Sequence, residues 1–134
     1  MTACFADSFY YFALLNPRDH AHAAAVELTR RLRRPVVTTT MVLTEVADGL
    51  ASTSARRLFL PFLDRLRATP QMTIVPPSDA LFQNAVDLYA ARPDKQWSLT
   101  DCASMAVMRQ LGLTDVLTGD HHFEQAGFNI LFKP

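Results

Sequence analysis

Four carboxylates stand where this sequence changes from one kind of element to another: Asp7 after the apolar run TACFA, Glu45 inside TEVADGL, Asp101 in LTDCAS and Asp120 in VLTGD. Acids brought within a few ångströms of one another repel, and each raises the other's pKa until a cation neutralises them. An oxygen donor set without thiolates or a well-placed histidine suits Mg²⁺ or Mn²⁺, which keep several waters and take few protein ligands. Such an ion activates water and stabilises the charge that builds on a scissile phosphate. Metal-assisted hydrolysis is the chemistry such a site could do if the fold brings the four together.

Each acid also has an ordinary reading. Asp7 and Asp120 precede helical patterns and could be N-caps, accepting hydrogen bonds from the first free N–H groups. Asp101 follows Ser98 by three residues, the spacing of a capping box with Asp in place of Glu or Gln. Glu45, at about 100° per residue, lies about 60° beyond Val42 at the edge of its helix's apolar arc, whereas Asp48 points further out. Singly, structural roles suffice; jointly they require four coincidences of position. Other candidates carry less. His121-His122 and His20-x-His22 lack thiolate partners at zinc-ligand spacing, and adjacent side chains diverge, so a surface or loop role is expected. The arginines of RRLRR, Arg30 to Arg34, could contact RNA phosphates or simply complement a helix dipole. Trp97 with Arg92 and Lys95 could grip a nucleotide or be packed. The aromatics at positions 9 to 12 read as core, with a homodimer face as the alternative.

The chain has 134 residues, 49% of them hydrophobic, enough for one domain over residues 1–134 with a sizeable core. Thirteen basic and thirteen acidic residues cancel, so no overall field recruits a polyanion, which must be caught locally. The apolar opening is interrupted by Asp7 and no basic residue precedes it, which fits neither a signal peptide nor a membrane span; a cytoplasmic location is expected. Cys4 and Cys102 read as small core residues rather than a disulfide. Along the chain, TACFA, VVTTT, MTIV, DVLT and FNILF read as strands. SFYYFALL, HAHAAAVELTRRLRR, MVLTEVADGL, ARRLFLPFLDRLRA with a kink at Pro61, DALFQNAVDLYAA, SLTDCASMAVMRQLG and HHFEQAG read as helices. This alternation predicts an α/β sandwich around a central, mostly parallel sheet of about five strands, with ligands beyond the strands' carboxyl ends. No GxGxxG or GxxxxGK[ST] loop argues for a nucleotide-binding module.

The segments FADSFYYFALLNPRDHAH, TTTMVLTEVADGL, WSLTDCASMAVMRQLG and VLTGDHHFEQAGFNIL resemble, in order and spacing, the four acidic motifs of PIN-domain ribonucleases of the VapC-like toxin group. The resemblance implies a PIN-like α/β/α sandwich. It implies a metal-dependent endoribonuclease whose catalytic, metal-binding acids are Asp7, Glu45, Asp101 and Asp120, with Ser8 and Thr118 positioning their neighbours. It implies Mg²⁺ or Mn²⁺ as cofactor and tRNA or ribosomal RNA loops as substrate, cut by water to leave a 5′-phosphate and a 3′-hydroxyl. It also implies an antitoxin whose tail crosses the active-site groove and sets an Arg against the acids. A homodimer is expected and a membrane is not. The competing readings are a non-toxin RNA-processing or DNA nuclease of the same fold, and a catalytically silent binding domain.

Overall fold

The runs CFA, VVTT and DVL contain no alternation of polar and apolar residues, the pattern of strands whose two faces are both covered. A computed structural model, describing residues 2–132, shows the same. Strands β1 (Cys4–Ala6), β2 (Val36–Thr39), β3 (Met72–Val75), β4 (Asp115–Leu117) and β5 (Asn129–Ile130) form one sheet in the order β3-β2-β1-β4-β5. Every neighbouring pair is parallel. The central β1 and its neighbour β2 are buried along their whole length, while the edge strand β3 is half-exposed. The other edge, β5, is shorter than FNILF suggested, only two residues, which leaves little unpaired backbone.

Helices α1 (Ser8–Leu15), α2 (His22–Arg31), α3 (Thr40–Leu50), α4 (Phe59–Ala68), α5 (Asp79–Ala91), α6 (Leu99–Leu111) and α7 (His121–Gln125) connect and flank the strands. Of the stripe Leu43, Val46, Ala47 and Leu50 that the spacing predicts on α3, Leu43, Val46 and Leu50 are buried and Ala47 is half-buried, while Val42 is buried as well. Helix α6 is buried almost all round, and Cys102, Ala103 and Ser104 let it approach its neighbours closely. Gly112 ends it at φ +68, a left-handed C-cap that suits glycine.

Two helical readings need correction. Helix α2 stops at Arg31, because Leu32 turns extended and Pro35 disfavours helix for the residue before it, so Arg33 and Arg34 lie outside. The segment from Ala55 to Ala68 is not one kinked helix: a 3-10 turn over Ser54–Leu58 hands over to α4 at Phe59. Pro61 falls in the first turn of α4, where its missing N–H costs no intrahelical bond.

Candidate active site

The chain leaves β1 toward β2 and β3 on one side, while β4 lies on the other side of β1 and leads on to β5. The strand order therefore reverses between β1 and β4, and the crevice outside their carboxyl ends is where open α/β sheets form sites. Asp7 follows β1, and Thr118, Gly119 and Asp120 follow β4. The Asp7 amide donates to the Leu117 carbonyl at 3.3 Å, closing the two strand ends together. A Cβ at Gly119 would stand 2.6 Å from the ring of Phe9, so glycine lets α1 close over this turn.

Asp7 is 2% exposed, and although it occupies the N-cap position of α1 its side chain caps nothing. Its Oδ2 accepts from the Thr118 hydroxyl at 2.9 Å, and its Oδ1 is buried without a hydrogen-bond partner. Burial pushes the carboxyl up to about 7; the Thr118 hydrogen bond opposes this and the neighbouring charge of Asp101 adds to it. Thr118 is itself fully buried, and its hydroxyl also accepts from the Asp120 amide at 3.1 Å. One side chain thus sets both acids.

Asp101 is the third residue of α6 and completes the expected capping box: its amide donates to Ser98 Oγ at 3.0 Å and its Oδ2 accepts from the Ser98 amide at 3.1 Å. Burial raises its carboxyl, with the Ser98 amide opposing and the Asp120 charge reinforcing the rise. Asp120 caps α7, its Oδ1 accepting from the His122 amide at 2.9 Å. Glu45, half-buried on α3, accepts a short hydrogen bond from the Ser8 hydroxyl, and its charge also bears on Asp7. The structure therefore gathers all four acids at one edge of the sheet, with Asp7 and Asp101 in the buried part and Glu45 and Asp120 more open.

His122 was expected at the surface and is not there. Its side chain is 22% exposed, and its Nδ1 lies 3.2 Å from Asp120 Oδ1 and 3.4 Å from Asp101 Oδ2. The signal was present in GDHHF: once Asp120 is an N-cap, the residue two places on is the one whose amide it holds, and its ring must lie nearby. His121, by contrast, is 70% exposed. His22 meets the Ala13 carbonyl at 2.8 Å through Nδ1, tying α2 to α1.

The remaining candidates resolve as structure. Arg34 donates to Asp115 at 2.9 Å and to the Thr2 and Ala3 carbonyls, at the amino ends of the strands and away from the acids. Arg33 caps the carbonyls of Arg30 and Leu32, and Arg30 and Arg31 pair with Glu27. Trp97 is buried; it donates to Gln125 at 3.0 Å and carries the Arg92 guanidinium 5.2 Å above its ring. It links the start of α6 to the end of α7 and so braces Asp101 against Asp120. Of the aromatics, Tyr10 and Tyr11 are buried, and Phe9 and Phe12 are half-buried against the core.

A buried carboxylate oxygen with no donor, set among other acids, is an arrangement that a cation satisfies and that is costly otherwise. Asp7 Oδ1 meets that description, and the charges of Asp101 and Glu45 bear on the same carboxyl. The residues present therefore fit a divalent ion.

Comparison with known proteins places these observations. The sequence model of the family described as PIN domain matches residues 5–129. No curated protein matches in sequence. Among solved structures the chain is similar to Mycobacterium tuberculosis VapC20, described as a sarcin-ricin loop cleaving toxin, at 25% identity and a TM-score of 0.85, covering 93% of this chain and 95% of that one. It shares the fold of a toxin-antitoxin complex from Klebsiella pneumoniae at 14% identity and a TM-score of 0.67, covering 96% of each chain. It shares it too with VapBC2 from Rickettsia felis bound to a promoter DNA fragment, at 11% identity and a TM-score of 0.67, covering 96% of this chain and 97% of that one.

Proposed function

This chain belongs to the PIN-domain family, and from that premise we propose that it is the endoribonuclease toxin of a toxin-antitoxin pair, holding Mg²⁺ or Mn²⁺ with Asp7, Glu45, Asp101 and Asp120. The observation that carries the reading is the buried, unpartnered Oδ1 of Asp7 amid three further acids at the strand-order reversal. Bound there, the ion supplies Lewis-acid activation of water and neutralises charge on the phosphate.

The chain's own residues do the rest. In each acid one oxygen is fixed by a structural hydrogen bond, from Thr118 to Asp7, Ser8 to Glu45, Ser98 to Asp101 and His122 to Asp120. A carboxylate has about four lone-pair sites, so these bonds orient the groups without using up their capacity. Asp7 and Asp101 are the buried anchors. Glu45 and Asp120 are the acids open enough to accept protons from an attacking water. The water oxygen joins phosphorus, the bond to the 3′ oxygen breaks, and that oxygen takes a proton, leaving a 5′-phosphate and a 3′-hydroxyl.

The likeness to a sarcin-ricin loop cleaving toxin supports a structured RNA loop, of ribosomal RNA or tRNA, as substrate. The likeness to toxin-antitoxin complexes supports a protein partner that silences the site. We assign that partner's apolar segment to a groove of about 650 Å³ between α1, α2 and α4, lined by Tyr10, Leu14, Leu32, Phe62, Leu66 and Met72. No helix among the described residues is long and apolar enough to cross a membrane, and we place the protein in the cytoplasm with its RNA.

Cleavage of tRNA and of a synthetic sarcin-ricin loop, with Mg²⁺, Mn²⁺ or chelator, tests the reading. Asp101→Asn retains an oxygen for the Ser98 amide and removes the charge. We expect it to fold as the parent does and to cut on the order of 100-fold more slowly. Parental rates in this variant, or in chelator, would rule the mechanism out.

A further inference from the structure

Thirteen basic residues are balanced by thirteen acidic ones, so an RNA strand has to be gripped by a few cations close to the acids. The arginines of α2 and its exit are committed elsewhere, to Glu27, to local carbonyls and to Asp115 at the amino ends of the strands. Arg92 and Lys95 stand on the loop of residues 92–98 that runs from the end of α5 into the capping box of Asp101. Between that loop, the last turn of α5 and the first turn of α6 lies a cavity of about 460 Å³, lined by Tyr89, Arg92, Pro93, Lys95, Trp97 and Cys102. One wall adjoins the acids: Cys102 follows Asp101 in α6, and burial raises its thiol pKa with the Asp101 charge adding to the rise.

The Arg92 guanidinium is fixed twice over although 40% of the side chain is exposed. It lies over the Trp97 ring, 5.2 Å from the centroid, and forks onto Asp94, Nε donating to Oδ1 at 3.0 Å and Nη2 to Oδ2 at 2.9 Å. Trp97 is itself buried and anchored to Gln125 at the end of α7. An exposed ion pair adds little to stability; what this one does is set the plane of the guanidinium before any ligand arrives. The fork uses one edge, and Nη1 donates to no acceptor among the described residues. Lys95 makes no ion pair among the described residues, and its charge, behind the Arg92 hydrogen bonds, helps to hold the Asp94 carboxyl down. Tyr89, 56% exposed, adds a phenol ring to the rim.

A planar cation backed by an indole, a phenol ring and a lysine suit an unstacked nucleobase with its phosphate: bases stack on aromatic and guanidinium planes, and an ammonium pairs with phosphate as a point charge. We propose that this cavity is a nucleotide subsite, in which a base flanking the scissile phosphate stacks on the Arg92 guanidinium beside Tyr89 and Lys95 holds its phosphate. The inference rests on the ribonuclease reading above and adds to it the residues, outside the acid cluster, that seat the RNA loop.

Single-turnover cleavage by the full-length protein with Mg²⁺, on a synthetic hairpin bearing the loop it cuts, tests this by abasic scanning, in which one base of the loop at a time is removed. In the parent, loss of one flanking base should raise the half-saturating protein concentration on the order of tenfold. Arg92→Ala and Arg92→Lys should each raise it by a similar factor on the intact hairpin, and removal of that same base should then cost almost nothing more; the lysine variant keeps the charge and loses the plane. Lys95→Ala should weaken binding whichever base is missing and reduce the slope of log affinity against log salt by about 0.7. Mn²⁺ affinity should match the parent in all three variants, which a loosened start of α6 would not allow. Equal abasic penalties in the parent and in Arg92→Ala, or parental affinity and salt slope in Lys95→Ala, overturn the subsite and leave the ribonuclease reading standing. So does a Tyr89→Ala variant that holds RNA as the parent does but passes from dimer to monomer in light scattering, because the face then belongs to a second copy of the chain. A parent that cuts neither tRNA nor the sarcin-ricin loop removes both readings.

Discussion

Asp7 is costly to the fold in a way that the proposed metal site would account for. Its folded-state pKa of about 7 lies above the ordinary 3.8, so without metal the native state holds a proton that the unfolded chain has released. Across the window from about pH 4 to about pH 7 the native state binds more protons, and stability must fall as pH rises through it. A divalent ion held as proposed would bind the deprotonated carboxylates of the native state and reverse that slope. Thermal melting between pH 4.5 and pH 8 should show a midpoint that drops with pH in chelator and rises or stays level with millimolar Mn²⁺. A drop of the same size in both conditions would mean that Asp7 does not meet the ion.

At the scale of elements, the strand ends and helix starts are joined by hydroxyl groups, with Thr118 at the centre. Its side chain donates to Asp7 on the β1 side in a buried bond and accepts from the Asp120 amide on the α7 side in a partly buried one. Thr118→Val keeps the shape and deletes both bonds, leaving the Asp120 amide without this partner and a second oxygen of Asp7 without a donor. A cost of about 1–3 kcal/mol is expected from denaturant unfolding, together with weaker Mn²⁺ binding, since Asp7 and Asp120 lose the group that sets them. Thr118→Ser, which restores the hydroxyl, should recover most of the metal affinity. If valine binds Mn²⁺ as the parent does, the threonine is packing alone.

The whole molecule separates two surfaces. The acids lie beyond the carboxyl ends of β1 and β4, while the apolar groove is built by α1, α2 and α4 with the starts of β2 and β3. An antitoxin anchored in that groove and reaching the acids would need an extended span, and the anchor can be removed without touching the catalytic edge. Leu14→Glu puts a charge into the groove from a half-buried position on α1. Co-expressed with the neighbouring small protein, this variant should lose co-purification and regain toxicity, while RNA cleavage by the purified chain stays at the parental rate. Undiminished co-purification would move the partner to another face.

The types of the elements, their order and the sites of the four acids are local matters, and the sequence by itself determined them. Period, capping and β-branching act over a few residues, which is why SFYYFALL, MTIV and DALFQNAVDLYAA match their elements end to end and why the Ser98–Asp101 capping box could be read directly. What only the tertiary structure decided is which ends meet. No local signal says that β4 pairs with β1 rather than with β3, yet that pairing brings Thr118 to Asp7 and leaves Oδ1 without a donor, so that Asp7, at the N-cap position of α1, caps nothing. It likewise sends Arg34 to the amino ends of the strands to meet Asp115, and brings the start of α7 against the start of α6, where His122 enters between two acids. Each of these depends on long-range packing of buried surfaces, which is settled by the whole core at once and by no segment alone.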